Sequence, residues 1–169
     1  MTLAQLNGLD SDAFVAVVGP VFEDSPWIAG AAAERRPFGS LDDLLASLVG
    51  VVRNAGAERQ IALIAAHPDL AGRVAREGRL TAASAAEQAS AELDALAASE
   101  RATFDELNAA YRARFGFPFV ICVREHTRSS ILAAMQWRIG NSRDEEIDEA
   151  LREIEAIARL RLRNMVSEE

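Results

Sequence analysis

Helix-forming segments that end at glycine or proline run through the whole of this 169-residue chain. The segments are rich in Ala, Leu, Arg and Glu, which lose little side-chain freedom when a helix forms. Breaks fall at Gly19-Pro20, at Arg36-Pro37 and at Gly116-Phe117-Pro118. Between breaks, apolar residues recur every three or four positions, the spacing of one buried helix face. The pattern predicts an all-α fold of about eight helices in a single domain covering residues 1–169.

One stretch, near residues 117–123, departs from the helical pattern. Phe119 to Val123 is a dense apolar run that contains two valines and an isoleucine, and no partner strand is evident. We therefore expect an extended, unpaired segment. Its backbone N–H and C=O groups would need partners outside helix or sheet, and a small polar ligand is one candidate. A role as core filler alone is the alternative.

Charge and hydropathy argue against several classes of partner. The net charge is −8 at pH 7 and all 18 basic side chains are arginine, so we expect no binding to nucleic acid or to anionic membranes. The longest apolar stretch, Leu44 to Val52, is far shorter than the about 20 residues of a membrane helix. Single Cys122 allows no disulfide within the chain, and no charged start precedes an apolar run as in a signal peptide. A cytoplasmic location is expected.

His67 is the first candidate for acid–base chemistry and one of two histidines in the chain. Pro68 disfavours helical geometry at the preceding residue, so His67 is expected at the C-terminal end of a helix over 58–66. The negative end of a helix favours imidazolium by roughly 0.3–2 kcal/mol, which suits proton exchange near neutral pH. The alternative is a structural role in which the ring caps a free carbonyl.

Glu87 is the second candidate. Ser84 and Glu87 have capping-box spacing, so we expect a helix to begin after Ser84 and to run to about Ala97. A helix start also offers free N–H groups to an anionic or carbonyl ligand, and Gln88 adds an amide beside the carboxylate. Capping and ligand binding both stay open for Glu87. A histidine facing this carboxylate would form an acid–base pair that needs no cofactor.

Other site types have weaker support. Two histidines and one cysteine embedded in apolar residues cannot supply a usual zinc ligand set, so no metal is expected. Arg159, Arg161 and Arg163 fall in the last predicted helix. Most such arginines are solvated, but one turned inward would bind a carboxylate through its planar fork.

The ordered series of motifs resembles that of 2-oxo-4-hydroxy-4-carboxy-5-ureidoimidazoline (OHCU) decarboxylases. The resemblance covers nearly the whole chain and rests on several stretches; one departure is Glu92, which follows the Glu87-Gln88 pair at a position where the family pattern implies a glycine. These stretches are Phe22-Glu23-Asp24-Ser25-Pro26-Trp27, Arg36-Pro37-Phe38, His67-Pro68-Asp69-Leu70-Ala71-Gly72, Leu80-Thr81 with Ser84-Ala85-Ala86-Glu87-Gln88, Leu107-Asn108-Ala109-Ala110-Tyr111, Phe115-Gly116-Phe117-Pro118-Phe119-Val120 and Arg161-Leu162.

The resemblance implies an all-α homodimeric carboxy-lyase without a cofactor, which converts OHCU to (S)-allantoin in urate catabolism. It implies that His67 is the catalytic proton donor and that Glu87 is its partner in the active site. It implies substrate contacts by Pro68, Ser84, Ala85, Ala86, Glu87 and Gln88, by Phe119, Val120, Ile121, Cys122 and Val123, and by Arg161.

Two other functions remain open on the residues alone. A non-catalytic helical interaction module would need no cavity that joins His67 to Glu87. A lyase or hydrolase for another ureido or carboxylated heterocycle would use the same pair on a different substrate.

Overall fold

Ten α-helices and two 3₁₀ turns form the regular structure of residues 1–167, which this computed structural model describes apart from the side chain of Val74. The helices are α1 Leu3–Asn7, α2 Ser11–Val18, α3 Pro26–Ala33, α4 Leu41–Arg53, α5 Ala57–Ala65, α6 Arg73–Arg76, α7 Ala82–Ser90, α8 Ala98–Phe115, α9 Arg128–Arg138 and α10 Arg143–Met165. The 3₁₀ turns span Gly19–Val21 and Val123–Glu125. The predicted all-α class is confirmed.

Two compact units divide the chain. The first contains Met1–Ala66 and the chain from Ile154 onward, and the second contains His67–Glu153. The single domain over 1–169 stays a prediction, and its last two residues lie outside the described part of the chain.

The eight predicted helices are all present, and α1 and α6 are additional. These two helices have five and four residues, too few for an apolar periodicity to be read from the sequence. Thr2 caps α1, because its hydroxyl accepts from the Gln5 amide at 3.2 Å and the Gln5 side chain accepts from the Thr2 amide at 2.9 Å. Local capping therefore stabilises a helix that the periodicity did not reveal.

In the first unit, α3 packs against α2 and α4, and α4 also contacts α5. The Asp10 carboxylate accepts from the Ala13 amide at 2.8 Å and the Ser40 hydroxyl from the Asp43 amide at 3.0 Å, so these two side chains cap α2 and α4. The core of these helices includes Phe14, Val18, Ile28, Ala29, Ala32, Leu44 and Leu48.

In the second unit, the predicted helix from Ser84 to Ala97 is wrong at both ends. Helix α7 begins at Ala82, because the Thr81 hydroxyl accepts from the Ser84 amide at 3.2 Å and thus caps it. It ends at Ser90, because Glu92 adopts a left-handed φ of +56° that a helix cannot contain. The capping box that would have used Glu87 is therefore wrong, and Glu87 lies beyond the first turn of α7.

Aromatic residues of α8 and the following segment form the core of the second unit. The centroid of the Tyr111 ring lies 4.6 Å from that of Phe115 and 5.3 Å from that of Phe119. The Tyr111 and Phe119 rings meet edge-on, with an interplanar angle of 90°. Gly116 ends α8 with a φ of +81°, which glycine adopts without strain. Residues 117–122 belong to no helix or strand, and all of them are buried.

Candidate active site

The segment of residues 67–72 follows α5 as an irregular loop. His67 is buried, with 7% of its surface exposed, and Pro68 is half-buried. The Asn108 side chain, itself buried on α8, donates from Nδ2 to the Leu70 carbonyl at 2.9 Å. The loop therefore has a fixed attachment to α8 three residues after the histidine.

The end of this loop holds a conformation that is costly for its sequence. Ala71 has a φ of +51°, in the left-handed region that residues with a Cβ seldom occupy. Its amide donates to Oε1 of Gln88 at 2.9 Å, and its carbonyl accepts from Arg76 at 3.0 Å. Gly72 is needed for close packing, since an added Cβ would lie 2.7 Å from the Cβ of Asp69. Strained backbone of this kind is concentrated at functional sites.

Helix α7 presents Ser84, Glu87 and Gln88 on one face, because residues three and four apart are neighbours on a helix. Ser84 and Gln88 are buried and Glu87 is half-buried. Through its contact with Ala71, Gln88 connects this face to the loop that begins at His67. The structure thus brings two of the predicted motifs together by a buried hydrogen bond.

The third predicted motif also meets α7, which packs against the 3₁₀ turn Val123–Glu125. Burial first, and then the nearby carboxylates of Glu125, Glu153 and Glu87, together raise the pKa of the Cys122 thiol to about 12. Glu87 is therefore within electrostatic range of the segment that ends at Cys122.

One side of α7, with Gln88 at its edge, borders a cavity of about 580 Å³. Ala85, Ala86 and Ala89 lie on this side. The amide of Ala85 donates to the Thr81 carbonyl at 2.9 Å, so it is not one of the free N–H groups expected from a helix start at Ser84. The other described residues around the cavity, which do not include His67 or Glu87, are Ala71, Ala75, Arg76, Leu80, Gln88, Leu93, Asp94 and Arg101.

Arg161 belongs to the first unit, where it is buried on α10. Its guanidinium donates to the Val21 carbonyl at 3.2 Å and to the Glu23 carboxylate at 3.0 Å. Of the three arginines named from the sequence, Arg161 is the buried one, and the carboxylate that it contacts is that of Glu23. Arg159 and Arg163 are exposed.

A buried ion pair joins Arg138 and Glu146, whose side chains are 3% and 0% exposed, and it was not predicted from the sequence. An arginine and a glutamate in helices are usually solvent-exposed, so the residue types alone do not predict a buried ion pair. Spacing does give a signal: Glu146 lies four residues before buried Ala150 and eight before buried Ile154, on the apolar stripe of α10.

Metal-binding clusters and membrane-spanning helices are both absent from residues 1–167. Within that range, no three or more His, Cys, Asp or Glu side chains are grouped so that they could hold a metal ion. None of the helices described there combines the length and the apolar composition needed to cross a bilayer.

Known proteins similar to this chain include two that are named as decarboxylases. A protein of Haloferax volcanii named 2-oxo-4-hydroxy-4-carboxy-5-ureidoimidazoline decarboxylase is 46% identical over 169 residues, all of this chain and 98% of that protein. A protein of Halalkalicoccus jeotgali with the same name is 41% identical over 98% of this chain and 92% of its own length.

A solved structure described as (S)-allantoin synthase superposes with a TM-score of 0.80 at 26% identity. It covers 99% of this chain, while this chain spans 54% of that longer one. The family model for OHCU decarboxylase matches residues 7–163. With nearly the full length matched in sequence and in fold, the chain belongs to the OHCU decarboxylase family.

Proposed function

We propose that this protein is a carboxy-lyase that converts OHCU to (S)-allantoin in urate catabolism, without a cofactor. The observation that carries the proposal is the 46% identity, over the whole chain, to a protein named for this decarboxylation. The structural likeness to an (S)-allantoin synthase supports the same product.

The reaction requires that the substrate be oriented and that a proton be delivered, and both can be done by side chains of this protein. Loss of CO₂ leaves an electron pair on the ring carbon, and the adjacent C=N and C=O groups of OHCU delocalise it. The protein must hold the carboxylate out of the ring plane and deliver a proton to one face of the heterocycle. A positioned general acid typically contributes about 10²–10⁴-fold to such a step.

His67 is the proton donor in this proposal. It is buried, and the loop that follows it is attached to α8 and α7 through Leu70 and Ala71. A ring held in this way can protonate one face of the intermediate, which determines the configuration of the product.

Glu87 is the partner of His67 and orients the ureido or hydroxyl group of the substrate. Its support is its position on the α7 face that also carries Ser84 and Gln88, together with its electrostatic influence on Cys122. A half-buried carboxylate can accept hydrogen bonds from both a ligand and a neighbouring side chain.

Substrate contacts are proposed for three groups of residues. Pro68 and the α7 residues form the first group, and the backbone of Phe119–Val123 forms the second. Arg161 is the third, as a carboxylate-binding side chain, and the family resemblance alone supports it. The α7 residues are Ser84, Ala85, Ala86, Glu87 and Gln88.

Circular dichroism during OHCU turnover tests the proposed reaction. Racemic OHCU is generated freshly from urate with uricase, and the purified protein is then added. We expect rapid formation of the (S) enantiomer of allantoin. Slow decay to racemic allantoin, equal to that in buffer, would contradict the proposal and favour an interaction module or an enzyme for another heterocycle.

Glu87→Gln tests the role of the carboxylate, with Glu106→Gln on the exposed face of α8 as the matched control. We expect turnover of OHCU to fall for Glu87→Gln while the melting temperature of the protein changes little. Equal turnover in the two variants would remove Glu87 from the site.

Arg161→Lys is expected to raise KM, because a lysine ammonium cannot bind a carboxylate bidentately.

Homodimerisation and a cytoplasmic location are further parts of the proposal. The family resemblance supports the dimer, and the single buried Cys122 suits a reducing compartment. Light scattering of the purified protein should give twice the 18.3 kDa of one chain. A monomeric mass at micromolar concentration would contradict the dimer, and recovery in a membrane or secreted fraction would contradict the location.

A further inference from the structure

The backbone of residues 119–122 is held by charged side chains from outside the segment. Val120, Ile121 and Cys122 are at most 3% exposed and belong to no helix or strand, so their peptide groups need other partners. Arg138 donates from Nη1 to the Val120 carbonyl at 2.9 Å. The Cys122 amide donates to Oε2 of Glu153 at 2.8 Å. These two contacts fix the backbone on both sides of Ile121.

Arg138 is itself fixed by Glu146. Its Nε donates to Oε1 of Glu146 at 2.9 Å, and its Nη2 donates to the same oxygen. The Tyr111 hydroxyl also donates to this oxygen, and Asn141 donates to Oε2 at 2.8 Å. Burial, followed by the hydrogen bond to Glu146, raises the pKa of Tyr111, so the phenol keeps the proton that it donates. The carboxylate therefore accepts from three side chains and has little freedom to move.

Aromatic contacts extend the same cluster to the start of the segment. The Arg138 guanidinium lies over the Phe119 ring, 4.4 Å from its centroid, and Tyr111 meets that ring edge-on. One planar guanidinium thus contacts a carboxylate, a backbone carbonyl and an aromatic face together. The point charge of a lysine cannot reproduce this combination.

Stability alone is a weak explanation for this cluster, because desolvation of a buried ion pair can outweigh its coulombic gain. Support of a ligand-binding backbone is a stronger one, since a site works only when its contacting groups are held within about 0.5 Å of the productive geometry. We propose that Arg138, Glu146 and Glu153 are positioning residues that set the Val120 carbonyl and the Cys122 amide, so that the backbone between them meets the substrate. This inference rests on the proposed function.

Two substitutions at Glu153 separate positioning from charge. Glu153→Gln keeps a side-chain oxygen for the Cys122 amide, and kcat/KM for OHCU should stay within about threefold of wild type. Glu153→Ala removes the acceptor, and kcat/KM should fall about tenfold or more, because a displacement of 1 Å can cost up to about 10²-fold. Glu149→Ala, one turn earlier on α10 where Glu149 pairs with Arg152, is the matched control and should behave as wild type. Each assay is run at a temperature at which circular dichroism shows the variant fully folded.

The possible outcomes are distinguishable. If the wild type does not turn over OHCU, the proposed function fails and the inference fails with it. If the wild type is active and folded Glu153→Ala keeps its kcat/KM, or Glu153→Gln loses as much as Glu153→Ala, the positioning inference alone is overturned.

If Glu153→Ala does not fold, Arg138→Lys tests the positioning inference instead. It keeps the charge opposite Glu146 but cannot hold the Val120 carbonyl and the Phe119 ring as well. A loss of kcat/KM of about tenfold in the folded variant supports positioning, in line with the cost of misplaced groups. An unchanged value overturns it.

Discussion

Glu92 occupies a backbone position that suits glycine, and this gives the sharpest test of the fold around α7. The Leu93 amide donates to the Gln88 carbonyl at 3.1 Å and the Glu92 amide to the Ala89 carbonyl at 3.0 Å. This is the hydrogen-bond pattern of a Schellman motif, in which the residue at position 92 takes a left-handed conformation. The observed φ of +56° agrees, and it accounts for the glycine that the family pattern implies.

Replacing Glu92 by alanine and by glycine isolates the backbone effect. Both changes remove the contact of the Glu92 carboxylate with Arg128 at 3.1 Å, so this contribution cancels. A left-handed residue with a Cβ costs roughly 1–2 kcal/mol, while glycine loses about 0.5–1 kcal/mol more through chain entropy. Glu92→Gly should therefore be more stable than Glu92→Ala by about 0.5–1 kcal/mol.

The control pair is Glu106→Ala and Glu106→Gly, at an exposed position inside α8. There, glycine should be less stable than alanine by about 0.8–1 kcal/mol, so the sign of the difference reverses. Urea unfolding gives both free energies, and at about 2–4 °C per kcal/mol the melting temperatures also resolve them. If glycine is less stable than alanine at position 92 as well, the left-handed end of α7 is wrong.

Three further predictions concern the second unit. Gly72→Ala should lower the stability by about 1–3 kcal/mol and reduce OHCU turnover, because its Cβ would lie 2.7 Å from that of Asp69; unchanged values in urea unfolding and turnover would contradict the packing of this loop. Hydrogen bonds from the Ser142 hydroxyl and amide hold the pKa of Glu145 below its ordinary 4.5, so this stabilisation is present above that pH and is lost as the pH falls further. Ser142→Ala should thus flatten the loss of stability below pH 4.5 in an acid titration followed by circular dichroism, and an unaltered acid limb would refute the contact. Cys122, buried and with its pKa raised to about 12, should not react with a disulfide reagent at pH 8 until guanidinium unfolds the protein; reaction of the folded protein within minutes would refute its burial.

Helix positions were predictable where the signals are local. Asp10, Ser40 and Thr127 each accept from an amide three residues ahead, and these caps identify α2, α4 and α9 from the sequence. The capping box of Ser142 and Glu145 marks the start of α10 in the same way. Such contacts depend on a few neighbouring residues, so the sequence contains all the information that they need.

The limits of α7 were not predictable because Thr81 and Ser84 can both cap a helix. The choice depends on tertiary contacts, among them the hydrogen bond from the Ala71 amide to Gln88, seventeen residues later. No residue type in the chain signals that a glutamate at position 92 will end the helix, since left-handed geometry usually requires glycine. Only the family resemblance indicated the end of α7, because it implies a glycine at position 92.

The candidate site was predictable only in part, because some of its features depend on neighbouring residues and others depend on the packing of distant segments. Pro68 places His67 outside a helix, and this local effect is borne out, since α5 ends at Ala65. The cluster of Arg138 and Glu146 depends on packing between α9, α10 and the segment after α8, which no local pattern describes. Buried charged side chains of this kind become visible only once the helices are assembled.

The enantiomeric composition of allantoin formed by His67→Asn tests the central claim most directly. The matched control is His126→Asn, which changes the other histidine, a partly buried residue beside Ser130. Circular dichroism of the product should show one enantiomer for wild type and for His126→Asn. The folded His67→Asn protein should be slower by about 10²-fold or more and should give nearly racemic allantoin. Rapid formation of the pure (S) enantiomer by His67→Asn would contradict the assignment of His67 as the proton donor.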